Sequence, residues 1–275
     1  MQQFESAGLT FDVIDQGDPD QGTFVLLHGF PQTSRCWRYT SPLLNTAGYR
    51  TLAPDLRGYS PGARPHGRRA YRLPELVEDV VALIDESGGK PVHVLGHDWG
   101  ALIGWSLAAL RPDLVRTLTT VSVPHPGAFV RSMLGSDQVA RSWYMAAFQV
   151  PAATEALALR APLVFNRVLE SAGMDPEQIS AVHREIVDAD ALTAALNWYR
   201  AMPFLPMAAM RARIEVPTAH VWGAADTALA RRGADLVERY VDAPYELHVL
   251  PDVGHWIPEH APYPLAEIAR ANAAA

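Results

Sequence analysis

The run Gly96-His97-Asp98-Trp99-Gly100 sets a carboxylate between two glycines, after an apolar strand pattern (Val92, Val94, Leu95) and before an apolar helix pattern. Strand, sharp turn and helix in immediate succession are the setting of a nucleophile elbow, written G-x-S-x-G, which exposes one reactive side chain. Here Asp98 stands where the serine would be. Two further residues with catalytic chemistry follow, each after a strand-like run: Asp226 in "VWGAAD" and His255 in "PDVGHW". Nucleophile, acid, histidine is the chain order of a triad on an open α/β sheet. A lone aspartate after a strand is commonly a helix N-cap, and a lone Gly-His pair a loop histidine. Three such residues in that order predict a catalytic set. The turn "HGFP" (His28-Gly29-Phe30-Pro31) adds the electrophilic half. The loop after the third strand and the residue after the nucleophile each supply a backbone N–H to an oxyanion hole, which assigns the donors to Phe30 and Trp99. His28, Pro31 and the Trp99 side chain are expected at the substrate.

These residues need a scaffold that brings three loops together. Strand patterns lie at Phe11–Asp15, Thr23–Leu27, Arg50–Ala53 and Val92–Leu95 and in "VRTLTTVSVP"; "TFVLLHG" is almost wholly apolar and so buried on both faces. Between them run helix patterns at Trp37–Ala47, in "LPELVEDVVALIDESGG", where Leu76, Val80, Leu83 and Ile84 share a face, and at Trp99–Leu110. After "PHPG" the alternation stops. From Phe129 to about Met210 the periodicity is helical, broken at Pro151, Pro162 and Pro176. Alternation resumes with a strand ("VPTAHVWGAAD"), a helix ("ARRGADLVERYV"), a strand ("YELHVLPDVGHW") and a helix from about Pro264. The pattern predicts an α/β fold: a mostly parallel twisted sheet with helices on both faces and an inserted all-helical cap. The core is expected at 1–125 and 210–275, and the cap at 126–209. Reacting groups then sit on loops at the carboxyl ends of the strands.

The elbow "GHDWGA", the turn "HGFP" and the two later loops resemble the α/β-hydrolase superfamily. More narrowly they resemble its aspartate-nucleophile branch, the epoxide hydrolases and haloalkane dehalogenases. The likeness covers essentially the whole chain and implies the α/β-hydrolase fold, with neither cofactor nor metal. Two cap segments, "RSWYMAAFQVP" and "LNWYRAM", resemble those with which epoxide hydrolases present two tyrosines over the nucleophile; the match falls on Tyr144 and Tyr199. Trp99 is common to both families and separates them poorly. Phe30 stands where haloalkane dehalogenases often carry an asparagine that holds the halide. Fluoroacetate dehalogenases follow the aspartate with an arginine, whereas this chain has Trp99.

A carboxylate is ionised at neutral pH and needs no base to activate it. Its attack on an ester would give an anhydride and gain little, but attack on saturated carbon gives a stable alkyl ester. His255, oriented by Asp226, then activates water against that ester while Phe30 and Trp99 hold the oxyanion. A halide leaves as a stable anion; an opened epoxide leaves as a strongly basic alkoxide and needs an acid such as tyrosine. The expectation is an epoxide hydrolase acting on a small apolar epoxide and water, with Tyr144 and Tyr199 assisting ring opening. Its rivals are a haloalkane dehalogenase and a non-catalytic binder of a small apolar ligand.

Composition narrows the remaining classes. The 275 residues are 49% hydrophobic and 19% charged, an ordinary globular balance. A formal charge of −7 with no Lys/Arg block argues against nucleic acid. The single Cys36 excludes an internal disulfide and a thiolate metal site. Neither a signal-peptide pattern nor a membrane-spanning apolar run is found, so a cytoplasmic protein is expected, its oligomeric state open. His97, His125 and His260 read as structural, and Arg57 as a loop anchor. Trp37, Phe129, Phe148, Phe165 and Trp256 belong to the core or to a pocket wall.

Overall fold

The chain forms eight strands, buried at the centre of the sheet and alternating at its N-terminal edge: β1 (Gln3–Ser6), β2 (Leu9–Gln16), β3 (Gly22–Leu27), β4 (Tyr49–Pro54), β5 (Val92–His97), β6 (Val115–Val121), β7 (Thr218–Gly223) and β8 (Tyr245–Leu250). The computed structural model describes all residues from Met1 to Ala275. The strands form one sheet in the order β1-β2-β4-β3-β5-β6-β7-β8. β1 and β2 pair antiparallel, as do β2 and β4; every other neighbour is parallel. The order reverses between β3 and β5. At such a switch the crevice beyond the strand ends is open to a ligand, and here it is bounded by the "HGFP" turn and the Asp98 elbow.

The helices before the reversal of pattern are α1 (Thr40–Thr46), α2 (Leu73–Glu86) and α3 (Trp99–Leu110). Between β6 and β7 come α4 (Pro126–Met133), α5 (Gln138–Arg141), α6 (Trp143–Ala147), α7 (Ala153–Arg160), α8 (Pro162–Ser171), α9 (Pro176–Val182) and α10 (Leu192–Arg200). The rest are α11 (Arg231–Asp235), α12 (Ile257–His260) and α13 (Pro262–Ala273). Prolines open α4, α8 and α9, where a missing N–H leaves nothing unpaired, and Asp175 with Gln178 closes a capping box on α9. No helix is long and apolar enough to cross a membrane.

Alternation along the central strands feeds two cores. Val25, Leu27 and Val94 pack with Leu76, Val80 and Leu83 of α2 and Ile103 and Leu107 of α3. Phe24, Leu26 and Leu95 pack with Leu44 of α1 and Leu265 and Ala269 of α13. Helices therefore cover both faces.

Three elements differ from the sequence reading. β1 carries no strand signal in the sequence, because four residues leave little alternation. Its hairpin turns on Ala7 and Gly8, both at positive φ, without the Asn-Gly signal of such turns. The helix expected over Trp37–Ala47 divides into a 3-10 turn at Ser34–Trp37, capped by Thr33, and α1. The helix expected in "ARRGADLVERYV" is one short α11 followed by a 3-10 turn at Val237–Tyr240.

The helical run between β6 and β7 is anchored to the core through α10. Trp198 Nε1 donates to the Arg57 carbonyl at 2.8 Å. Arg57 in turn forks onto both Asp79 oxygens, each at 2.7 Å, and donates to the Ala70 carbonyl. Arg57 is thus a loop anchor, and the loop it anchors carries α10.

Candidate active site

Asp98 sits between β5 and α3 at φ 53° and ψ −117°, a backbone conformation that L residues rarely adopt. The flanking glycines make that turn possible. A Cβ on Gly100 would lie 2.0 Å from the Leu27 carbonyl oxygen, and one on Gly96 would lie 2.4 Å from the Gly100 carbonyl oxygen. Gly29 has the same function in the facing turn, where a Cβ would fall 2.3 Å from Asp98 Cβ. That closeness lets the Phe30 N–H donate to Asp98 Oδ1 at 2.8 Å. The Trp99 N–H is the first of α3, among the donors a helix leaves without an internal partner.

Asp226 follows β7, and its Oδ1 accepts from the N–H groups of Ala228 and Leu229 at 2.7 and 2.8 Å. Its Oδ2 is left for His255 Nδ1, at 2.9 Å. The opposite ring nitrogen, Nε2, lies 3.6 Å from Asp98 Oδ2, beyond a direct hydrogen bond. Asp98, Asp226 and His255 are all buried. Burial disfavours the imidazolium of His255, but the Asp226 and Asp98 carboxylates outweigh it and push the pKa up to about 10. Burial likewise opposes ionisation of Asp98, yet neighbouring His255 and the Phe30 N–H hold its pKa below the usual carboxylate range. His255 thus stands between two carboxylates, one at each ring nitrogen.

Two cavities meet at Asp98. One, of about 440 Å³, is walled by Phe30, Pro31, Tyr144, Phe148, His255 and Trp256 among others. The second, of about 270 Å³, is walled by Trp99, Phe129, Met133, Met145, Met202 and Met210 among others. Asp98, Tyr144 and Tyr199 line both. The two tyrosine rings stand 6.0 Å apart, and Tyr199 packs edge-on against Phe30 and Trp99. Burial first, and then the charge of Asp98, push both phenol pKa values up, so both hydroxyls keep their protons at neutral pH.

His28 is the exception among the expected residues. It is fully buried and walls neither cavity. Its Nε2 accepts from the Leu56 N–H and its Nδ1 bonds the Gly29 carbonyl, each at 3.0 Å. With both nitrogens engaged by backbone, it braces the turn and cannot face substrate. Pro31 and Trp99 do line the cavities. Of the aromatic set, Phe129, Phe148 and Trp256 are cavity walls, while Trp37 and Phe165 are core.

Two supporting residues were not legible as part of the site. His97 Nε2 and Ser122 Oγ both bond the His255 carbonyl, at 2.9 and 3.0 Å. The position of His97 beside Asp98 was the available signal; Ser122 offered none. Burial drives the His97 pKa down to about 3, so its ring is neutral and Nε2 carries the proton it gives to that carbonyl.

A family model described as the alpha/beta hydrolase fold matches residues 22–262. The AB hydrolase superfamily protein YfhM of Bacillus subtilis is 34% identical over 263 residues, covering 93% of this chain and 91% of that protein. Epoxide hydrolase 3 of Xenopus tropicalis is 31% identical over 280 residues, covering 98% and 76%. The chain belongs to the α/β-hydrolase superfamily, in its epoxide hydrolase family. A solved structure described as a novel epoxide hydrolase from metagenomes of hot environments overlays this α/β-hydrolase with a TM-score of 0.85 at 29% identity, covering 99% of this chain and 97% of that one.

Proposed function

We propose that the protein hydrolyses an epoxide to a vicinal diol through an alkyl ester on Asp98. The observation that carries this reading is that Tyr144 and Tyr199 line both cavities that open onto Asp98. Phe30 N–H already holds Oδ1, so Oδ2 attacks an oxirane carbon and the carbon–oxygen bond of the ring breaks. The departing alkoxide takes its proton from Tyr144 or Tyr199, both of which remain protonated at neutral pH. With the Asp98 charge removed in the ester, His255 releases its ring proton to solvent and then takes one from water, whose oxygen adds to the Asp98 carboxyl carbon. Phe30 and Trp99 N–H groups stabilise the oxyanion on Oδ1. Collapse breaks the ester bond, the diol leaves with the proton from His255, and the water's second proton passes from the Asp98 carboxyl to the tyrosinate, restoring both groups. In this reading residues 126–209 act as the cap and the core comprises 1–125 and 210–275.

The test is purified protein with styrene oxide, a terminal alkyl epoxide and a bromoalkane, following diol and bromide. Diol without bromide is expected. Rapid acid quench of His255→Gln should show the mass of one substrate added at Asp98, and Asp98→Asn should show none. Tyr144→Phe with Tyr199→Phe should slow ester formation by about 10²–10⁴-fold. Bromide without diol would replace epoxide by haloalkane, and product from Asp98→Ala would remove the nucleophile from the scheme.

A further inference from the structure

The link between α5 and the loop carrying Asp226 has a consequence for both halves of the reaction. Gln138, in α5, is 1% exposed. Its Nε2 donates to the Ala228 carbonyl at 2.8 Å and to Ser142 Oγ at 3.0 Å, while its Oε1 accepts from the Ala230 N–H at 2.8 Å. The segment it grips is the one whose Ala228 and Leu229 N–H groups fix Asp226 Oδ1. From the same helix Arg141, held by Asp137, donates to the Asp226 carbonyl at 2.7 Å. On the other side Ser142 precedes α6, which bears Tyr144.

We propose that Gln138 is a positioning residue that clamps the Asp226 loop to the tyrosine-bearing helix, so that ring opening and ester hydrolysis share one support. This rests on the epoxide hydrolase reading above. The path is continuous. Gln138 fixes Ala228 and Ala230, their loop aims the Asp226 carboxylate, and that carboxylate orients His255. Through Ser142 the same amide fixes the start of the turn that carries Tyr144 over Asp98.

An amide of this length donates to one backbone carbonyl and accepts from a nearby backbone N–H at once. Leucine fills the volume but leaves Ala228 and Ala230 without these partners. Glutamate keeps the acceptor for Ala230 but turns a second oxygen against the Ala228 carbonyl. The charged and titratable groups facing His255 are Asp226, Asp98 and His97, and Gln138 reaches them only through the loop.

The experiment compares native protein with Gln138→Leu, Gln138→Glu and Arg141→Leu, below each melting temperature. Rapid acid quench gives the rates of ester formation and decay on Asp98. NMR of labelled histidine, with His255 assigned by His255→Asn, gives its titration midpoint without substrate. In Gln138→Leu both rates should fall by about tenfold or more, the scale set by small misplacements of reacting groups. The His255 midpoint, raised to about 10 in the native site, should move down, because a loosened Asp226 attracts its proton less. Gln138→Glu should fall between Leu and native, and it decides the matter with Arg141→Leu if the Leu protein does not fold. A lower melting temperature with both rates and the midpoint unchanged would reduce Gln138 to a stabilising contact. Loss of one rate alone would refute the shared support. If native protein forms no ester, the reaction scheme fails, and the clamp is then judged by the midpoint.

Discussion

On the proposed scheme Asp98 loses its charge when it becomes an ester, and that matters most to His255. In the free protein two carboxylates hold the imidazolium, with a pKa of about 10. Forming the ester removes one of them, so the His255 pKa falls at the moment a base is needed. The sign follows from the direction of Asp98's contribution, which raises the His255 pKa. Ester hydrolysis should therefore speed up as pH rises and level off above a midpoint lower than that of the free protein. Quench-flow decay rates across pH, set beside the NMR titration of His255, check this; equal midpoints would uncouple Asp98 from His255. At this scale the identities of Asp98, Asp226 and His255 were legible, since each ends a strand pattern. The inward orientation of His28 was not, because "HGFP" reads the same whether its histidine meets ligand or backbone.

Elements place these side chains through contacts that only glycine permits. In α3, Gly100 and Gly104 offer a controlled comparison. A Cβ on Gly100 meets the backbone of Leu27 at 2.0 Å, which cannot retreat without distorting β3 and the turn behind it. A Cβ on Gly104 meets only the Leu118 and Val94 side chains, at 3.1 and 3.3 Å. Gly104→Ala should be nearly neutral, since relief of backbone entropy in a helix is worth about 1 kcal/mol against mild crowding. Gly100→Ala should lose about 1–3 kcal/mol or more and most of its turnover. Urea unfolding and kcat/KM on the two variants measure the contrast, and equal effects would mean the elbow tolerates the extra carbon. The G-x-D-x-G spacing announced this requirement in the sequence. The division of the helix expected in "ARRGADLVERYV" carried no comparable signal.

Across the whole molecule, burial has left several histidines neutral. His93 is held down to about 4, and His97, His125 and His220 to about 3, in each case chiefly by burial. Unfolded, each has an ordinary pKa near 6.5. The folded pKa values are lower, so the unfolded chain binds more protons between these limits. Their stabilising contribution is fully present above pH 6.5 and declines as pH falls toward 3–4. Each contributes roughly 1.4 kcal/mol per pH unit within that window. Acid should therefore unfold the protein from the histidine range downward, before most carboxylates protonate. Calorimetry from pH 7 to pH 4.5 should find a melting temperature that falls steadily below about 6.5. A flat profile to pH 5 would mean these rings gain protons without unfolding.

What the sequence by itself determined was local or ordered along the chain. The elbow is five consecutive residues, the alternation of strands and helices dictates a parallel sheet, and the sheet brings its loop ends to one side. Asp226 and His255 follow because their places in that order are fixed by connectivity. Only the tertiary structure decided which backbones come close enough to be held. His97 reaches the His255 carbonyl across 158 residues and Gln138 reaches Ala230 across 92. Such pairs depend on how packed faces settle against each other, and no periodicity within either segment encodes the partner. The two cavities belong to the same class, since their walls are drawn from β-strand ends and from helices that meet only in the folded chain.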